Sequence, residues 1–285
     1  KAIDSRSHHT AGHSSRVAKL TRKFAEVVSS QTSGVFKEVF FNDDELYEIW
    51  ISGLVHDVGK IGTPEAILDK HKKLDGAKFD LILERLKRYK SILKCKYKDE
   101  ELHKYLIDLD DDYSFLIKTN EPGYMSEEDL DKLNQIYNKS FYDGFDEINY
   151  LTDEEYDNLS IRRGNLTSKE REIIQGHIIE TQKLLKSLDF PEKLKNVPFY
   201  AGAHHENING KGYPDNLKGN EIPLPARMMA IVDIWEAVTA QDRPYRPPVN
   251  DTIASKIIKE EVDSGKLDKD LVELFIKERV WSNKK

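Results

Sequence analysis

Cysteine is almost absent. Cys95 stands alone in 285 residues, which excludes an internal disulfide framework and suits a reducing, cytoplasmic setting. No apolar run approaches the ~20 residues that a membrane span needs, and no secretory signal is visible, so no membrane contact is expected of this chain. Basic charge is not in excess either. Lys and Arg number 44 against 51 Asp and Glu, a net charge of −7, which argues against binding a nucleic-acid polymer. Internal repeats and low-complexity segments are missing too. The chain opens at Lys1 without an initiator methionine, as expected of a fragment that has lost an upstream sensor or receiver domain. Its length allows one large or two modest domains with ample core.

What is present is histidine in a telling pattern. His204-His205-Glu206 is followed within ten residues by Gly210-Lys211-Gly212-Tyr213-Pro214. Adjacent histidines cannot both lie on one apolar face of a helix, but at a helix end they can reach two neighbouring metal ions from two directions. Alone, the pair reads as a solvated helix terminus. Four helical stripes change that reading. From Asp44 to Lys60 the stripe is Leu46, Ile49, Trp50 and Gly53, and the next turn brings His56 and Asp57. From Thr167 it is Ile173, Ile174, His177, Thr181, Leu184 and Leu188. A third runs through Met229, Asp233, Ala237 and Ala240, and a fourth through His13, Val17, Leu20 and Phe24. One inward histidine is ordinarily a satisfied core residue. Four stripes that all bury an ionisable group would cost several kcal/mol each if unpaired, and metal coordination is the simplest common explanation.

The inventory is His13, His56, His177, His204 and His205 with Asp57 and Asp233. Seven ligands exceed what one tetrahedral zinc takes and suit two octahedral ions of borderline hardness bridged by a carboxylate. Two metals ~4 Å apart are a recurrent device for phosphoester hydrolysis, in which they generate the nucleophile and clamp the attacking and leaving oxygens. Lys60 follows Asp57 by three residues, so one helical turn places its ammonium beside the metals. There it can bind a phosphate oxygen or protonate a leaving alkoxide; as a residue past a helix end it could also simply be solvated.

At this point the sequence resembles the HD-GYP domains, the bacterial cyclic di-GMP phosphodiesterase branch of the HD superfamily. The matching pieces are Gly12 to Ala18, Leu54 to Gly62 with His56-Asp57 and Gly59-Lys60, Pro64 to Leu68, His177, His204 through Pro214, and Ile231 to Ala237 with Thr239 and Asp242-Arg243-Pro244-Tyr245-Arg246. The resemblance implies an all-α HD helical bundle carrying a metal centre. It makes the seven residues above metal ligands of two divalent ions, iron or manganese before zinc. It makes Asp57 and Lys60 catalytic, with Lys60 also contacting phosphate. It places Gly212, Tyr213 and Pro214 in a loop beside the substrate, and gives Arg243 and Arg246 the distal phosphate or guanine, a task that suits the bidentate guanidinium. Some relatives hold a third metal through a carboxylate four residues before the first histidine; here that position is His9, a possible third-metal ligand or a frayed terminal residue.

The second departure is length. Residues 71–163 read as an insertion between 1–70 and 164–285, which together form the expected phosphohydrolase domain. The insertion carries 22 acidic against 16 basic residues and 9 of the 13 tyrosines, too apolar for a disordered linker. Its spacing predicts helices near 76–96, 99–110, 126–139 and 152–160, with turns at Glu121-Pro122-Gly123 and Tyr142-Asp143-Gly144. Thr152 with Glu155, and Thr167 with Glu170, read as capping boxes. A small helical subdomain is expected, serving as a lid, a dimer contact or a docking surface. His71, His103 and Cys95 read as surface residues.

The expected activity is hydrolysis of cyclic di-GMP to linear pGpG, with further cutting to GMP as an extension. The alternatives are hydrolysis of another cyclic dinucleotide such as cyclic GMP-AMP, or of another nucleotide, and a non-catalytic cyclic di-GMP sensor or adaptor. A homodimer is a further expectation.

Overall fold

A computed structural model describes residues 12–240 and 248–282. The chain divides into two compact units, 1–64 with 173–285 and 65–172, against expected boundaries at 71 and 163. Both units are mainly helical, and no described helix is long and apolar enough to cross a membrane.

In the first unit, helices His13–Ser29, Asp43–Val55, Leu224–Thr239, Asp251–Asp263 and Lys269–Lys277 supply the main core. Asn42 and Glu45 close a reciprocal capping box at the start of the second of these helices, which satisfies two otherwise orphaned backbone donors. Phe24, Ile49, Met228, Val232, Leu271 and Phe275 are buried together. Phe24 meets Phe275 edge to face at 5.2 Å, and Trp235 stacks on Trp281 at 4.1 Å. A smaller cluster gathers Leu185, Val197 and Ala201. One end of this bundle therefore holds an apolar core, while the polar residues of the same helices collect elsewhere.

Three helix expectations need correction. The helix from Asp43 ends at Val55, and Val58–Gly62 is a 3-10 turn, so Asp57 and Lys60 sit on tighter backbone than an α-helical turn. The segment after Thr167 is not one helix but two, Ser168–Gln175 and His177–Lys186, parted at Gly176. His177 and Thr181 are buried as expected and are joined by Ile178 and Leu185, whereas Ile173, Leu184 and Leu188 are exposed. Trp50, Leu20, Ala237 and Ala240 are only half-buried.

The second unit is built on the long helices Gly76–Lys96 and Asp99–Asn120, with shorter ones at Glu65–Leu68, Glu127–Tyr137 and Asp153–Leu159. Its own core joins Ile82, Leu86, Leu116, Leu133, Ile136 and Leu159. The second long helix runs ten residues past its expected end because Leu109, Phe115 and Leu116 continue the apolar face. Two small β-pairings were not legible in the sequence: Gly123–Tyr124 with Arg163–Gly164, and a hairpin of Ser140–Tyr142 with Glu147–Asn149. The hairpin turns through Asp143 and Gly144, where Asp143 accepts from the backbone N–H of Phe145 and Asp146. Both expected capping boxes form, at Thr152 with Glu155 and at Thr167 with Glu170. Cys95 and His103 are exposed, and His71 is half-buried.

Candidate metal centre

The seven residues are held by a few local anchors. His13 opens its helix after Gly12, whose φ of 82° is left-handed, a conformation that glycine adopts without strain. His56 and Asp57 fill the bend between the Asp43–Val55 helix and the 3-10 turn. His177 begins a helix, His204 and His205 follow the Val197–Gly202 helix, and Asp233 lies within Leu224–Thr239. Gly59 sets the bend against the His177 helix. A Cβ on Gly59 would lie 2.0 Å from the His177 carbonyl oxygen, and the Gly59 N–H donates to Thr181 Oγ1 at 2.9 Å. Gly59→Ala should therefore cost ~1–3 kcal/mol or more through overpacking, lowering Tm by several degrees and metal uptake with it. A parental Tm in thermal unfolding would show that the contact is slack.

These anchors bring the seven side chains together. Two groups of donor atoms form, each with its members within 4.8 Å of one another: His177, His204 and His205, and His13, His56 and Asp57. Asp57 faces both. Its Oδ1 is 3.1 Å from His177 Nε2, and its Oδ2 is 3.3 Å from His56 Nε2. Asp233 Oδ1 joins the second group, 3.2 Å from His13 Nε2 and 3.8 Å from His56 Nε2. Donors bound ~2.1 Å from one ion stand ~3 Å apart when adjacent around an octahedron, which is the spacing found here.

Tautomers decide whether a cation fits. His56 Nδ1 donates to the Gly53 carbonyl at 2.8 Å, His204 Nδ1 to that of Ala201 at 2.7 Å, and His177 Nδ1 to that of Ile174. A carbonyl only accepts, so the proton resides on Nδ1 and Nε2 presents a lone pair. His56 Nε2, His177 Nε2, His204 Nε2 and Asp57 Oδ1 are all buried with no hydrogen-bond partner. Lone pairs facing one another at ~3 Å in a dry pocket repel, and an unsatisfied buried acceptor costs ~1–3 kcal/mol. A cation between them removes both penalties. The donor set fits divalent metal.

Electrostatics follow the same division. Burial pushes His205 down to about 4 and His204 well below the usual imidazole range, so both offer neutral rings. Burial also works against protonated His13, but hydrogen bonds to Asp233 and Glu236 outweigh it and hold that ring up at about 9. Burial disfavours ionised Asp57, yet Lys60 and His56 keep its carboxyl well below the ordinary range. Lys60 Nζ donates to Asp57 Oδ2 at 2.6 Å with its side chain 23% exposed. It is neither a free solvated lysine nor buried out of reach of a ligand.

The Gly212-Tyr213-Pro214 segment lies against this centre. Tyr213 stacks on His205 with ring centroids 4.9 Å apart, and its N–H reaches the His205 carbonyl at 3.3 Å. A Cβ on Gly212 would meet Asn207 N at 2.3 Å, so only glycine lets the loop fold back on the histidine pair. Buried Glu206 accepts the N–H groups of Asp215 and Leu217 at 2.7 and 2.9 Å, tying down the loop's far side. His9, Arg243 and Arg246 lie outside the described residues. Sequence reasoning missed three working residues: Glu206, Thr181 as the holder of Gly59, and Glu236, which accepts from His13. The available signal for Glu236 was its place one turn beyond Asp233.

Comparison with known proteins agrees with this geometry. Two HD-domain profiles match, one over residues 10–120 and the other over 154–271. The chain belongs to the HD-domain family. Within it the chain is of the HD-GYP type, as its ordered motifs and its relatives indicate. The 3'3'-cGAMP-specific phosphodiesterase 1 of Vibrio cholerae is 24% identical over 275 residues, 96% of this chain and 39% of that protein. The same organism's 3'3'-cGAMP-specific phosphodiesterase 3 is 24% identical over 89% of the chain and 32% of its own length. A cyclic di-GMP phosphodiesterase of Thermotoga maritima is 29% identical over 133 residues, 43% of this chain and 36% of that protein. The chain thus spans well under half of each of these relatives.

Proposed function

We propose that this HD-domain chain is a metal-dependent phosphodiesterase that opens a cyclic dinucleotide, cyclic di-GMP first, to linear pGpG and onward to GMP. The observation that carries the reading is Asp57, whose two oxygens face two histidine groups that present partnerless, buried lone pairs. Divalent ions, iron or manganese before zinc on the nitrogen- and oxygen-only donor set, would supply Lewis acidity and an activated water there. His13, His56, Asp57 and Asp233 would hold one ion, and His177, His204 and His205 with the other oxygen of Asp57 a second. Lys60 lies beside the Asp57 carboxylate, where its ammonium would offset charge developing on a phosphate oxygen. Tyr213, propped on His205, lines the approach with Gly212 and Pro214. Arg243 and Arg246 take the second phosphate. A net charge of −7 repels a doubly anionic ligand at long range, so recognition depends on cations concentrated locally.

A second cyclic dinucleotide is favoured by a specific observation. The relatives aligned over 96% and 89% of the chain are named for 3'3'-cGAMP, while the Thermotoga cyclic di-GMP enzyme aligns over 43%. One chromatographic assay of metal-loaded protein against cyclic di-GMP, 3'3'-cGAMP and cyclic di-AMP tests both. Metal-dependent opening of cyclic di-GMP at the highest kcat/KM is expected. A preference for 3'3'-cGAMP would reassign the substrate, and no turnover of any of the three would overturn the enzymatic reading.

A further inference from the structure

Three of the five histidines in the centre are oriented in the same way. His56, His177 and His204 each place Nδ1 on the carbonyl three residues earlier, at Gly53, Ile174 and Ala201. Their orientation is built into the local backbone. His13 stands at the first turn of its helix, and its Nδ1 partner is a side chain 223 residues away in sequence, Glu236.

Glu236 is suited to that role. It is 5% exposed and lies one turn after Asp233, so both project from the same side of one helix. The two carboxylates grip the His13 ring at opposite nitrogens: Glu236 Oε2 at Nδ1, and Asp233 Oδ1 3.2 Å from Nε2. The remaining oxygen of Glu236 accepts from Arg16 Nε at 2.6 Å. Arg16 lies three residues beyond His13 on the first helix, so its guanidinium both fixes Glu236 and offsets the charge of a second carboxylate beside Asp233. Both oxygens of Glu236 are thereby engaged, and Glu236 belongs to neither group of clustered donor atoms.

We infer that Glu236, braced by Arg16, is a positioning residue: it holds His13 with the proton on Nδ1 and aims Nε2 at the ion shared with His56, Asp57 and Asp233. This role rests on the metal centre proposed above. A carboxylate behind a ligating imidazole fixes the ring and raises its basicity, and losing such a partner typically costs ~10- to 100-fold in metal affinity. The effect should fall on one ion of the two, because Glu236 touches His13 and no member of the His177, His204 and His205 group.

The test compares the parent chain, Glu236→Gln and Glu236→Met, each loaded with manganese and mixed with excess EDTA while ion release is followed. Glutamine keeps an acceptor opposite His13 Nδ1; methionine fills a similar volume without one. Expected are two slow phases in the parent. In Glu236→Met one phase should be ~10- to 100-fold faster and the other unchanged, with Glu236→Gln between them. Long-range nitrogen–proton spectra of zinc-loaded protein should show a protected Nδ1 proton on His13 in the parent and its loss in Glu236→Met. If the methionine variant does not fold, the glutamine variant decides alone, through one accelerated phase at parental Tm. Parental release from both variants would overturn the role of Glu236 while leaving the centre intact. Equal acceleration in both variants with equal loss of Tm would make Glu236 a packing residue. A parent that takes up no metal would overturn the centre, and this role with it.

Discussion

Asp57→Asn should reduce turnover by ~10³-fold or more, at or beyond the upper end of what one charge-stabilising group contributes, and should lower metal content to one ion or fewer. The side chain keeps its shape in this variant, so the loss measures charge and donor chemistry. Asp57 Oδ1 and Oδ2 stand 3.1 and 3.3 Å from His177 and His56 Nε2, one oxygen for each donor group. An amide replaces one of those oxygens by an NH₂ group, which can donate to a histidine lone pair but cannot ligate a cation. The amide would also forfeit its ion pair with Lys60, now 2.6 Å from Oδ2. Kinetics and metal analysis on the same preparation check both effects. Parental turnover with two ions bound would remove Asp57 from the centre.

The second large effect is expected at Lys60. Lys60→Ala should cut kcat by ~100-fold, in the range of general-acid or charge-stabilising groups, while both ions remain. The two readouts separate because Lys60 pairs with Asp57 Oδ2 as a counter-charge and is not one of the proposed ligands. Removing it leaves every metal donor in place and makes the local field more negative, which favours a cation. Unchanged kinetics with full metal loading would sink the assignment; a joint loss of metal and rate would make Lys60 a support for Asp57.

The candidate donor set was legible in the sequence for a physical reason. Metal coordination restricts residue type severely and the helix period restricts spacing, so His13, His56, Asp57, His177, His204, His205 and Asp233 stand out from any apolar stripe. They do meet in one place in the structure. The backbone around them was less legible. Gly176 splits what reads as one periodic helix, and Ile178 and Leu185, rather than Leu184 and Leu188, share the buried side with His177 and Thr181. Periodicity alone carries no information about such a break. Glu236 was hidden differently: a charged residue on an otherwise apolar helix reads as solvated, and only the fold brings it to a histidine 223 positions away. The two-residue strands at Gly123–Tyr124 and Arg163–Gly164 are too short to leave any alternation in the sequence. In the long helix Asp99–Asn120, by contrast, the expected end near 110 falls short, because burial of Phe115 and Leu116 carries the helix on.

The most direct test of the two-ion centre is elemental analysis of the full chain, purified without chelators and reconstituted anaerobically with iron or manganese. Two equivalents per chain are predicted, falling to one or fewer in Asp57→Asn. One equivalent or none in the parent after reconstitution would contradict the account.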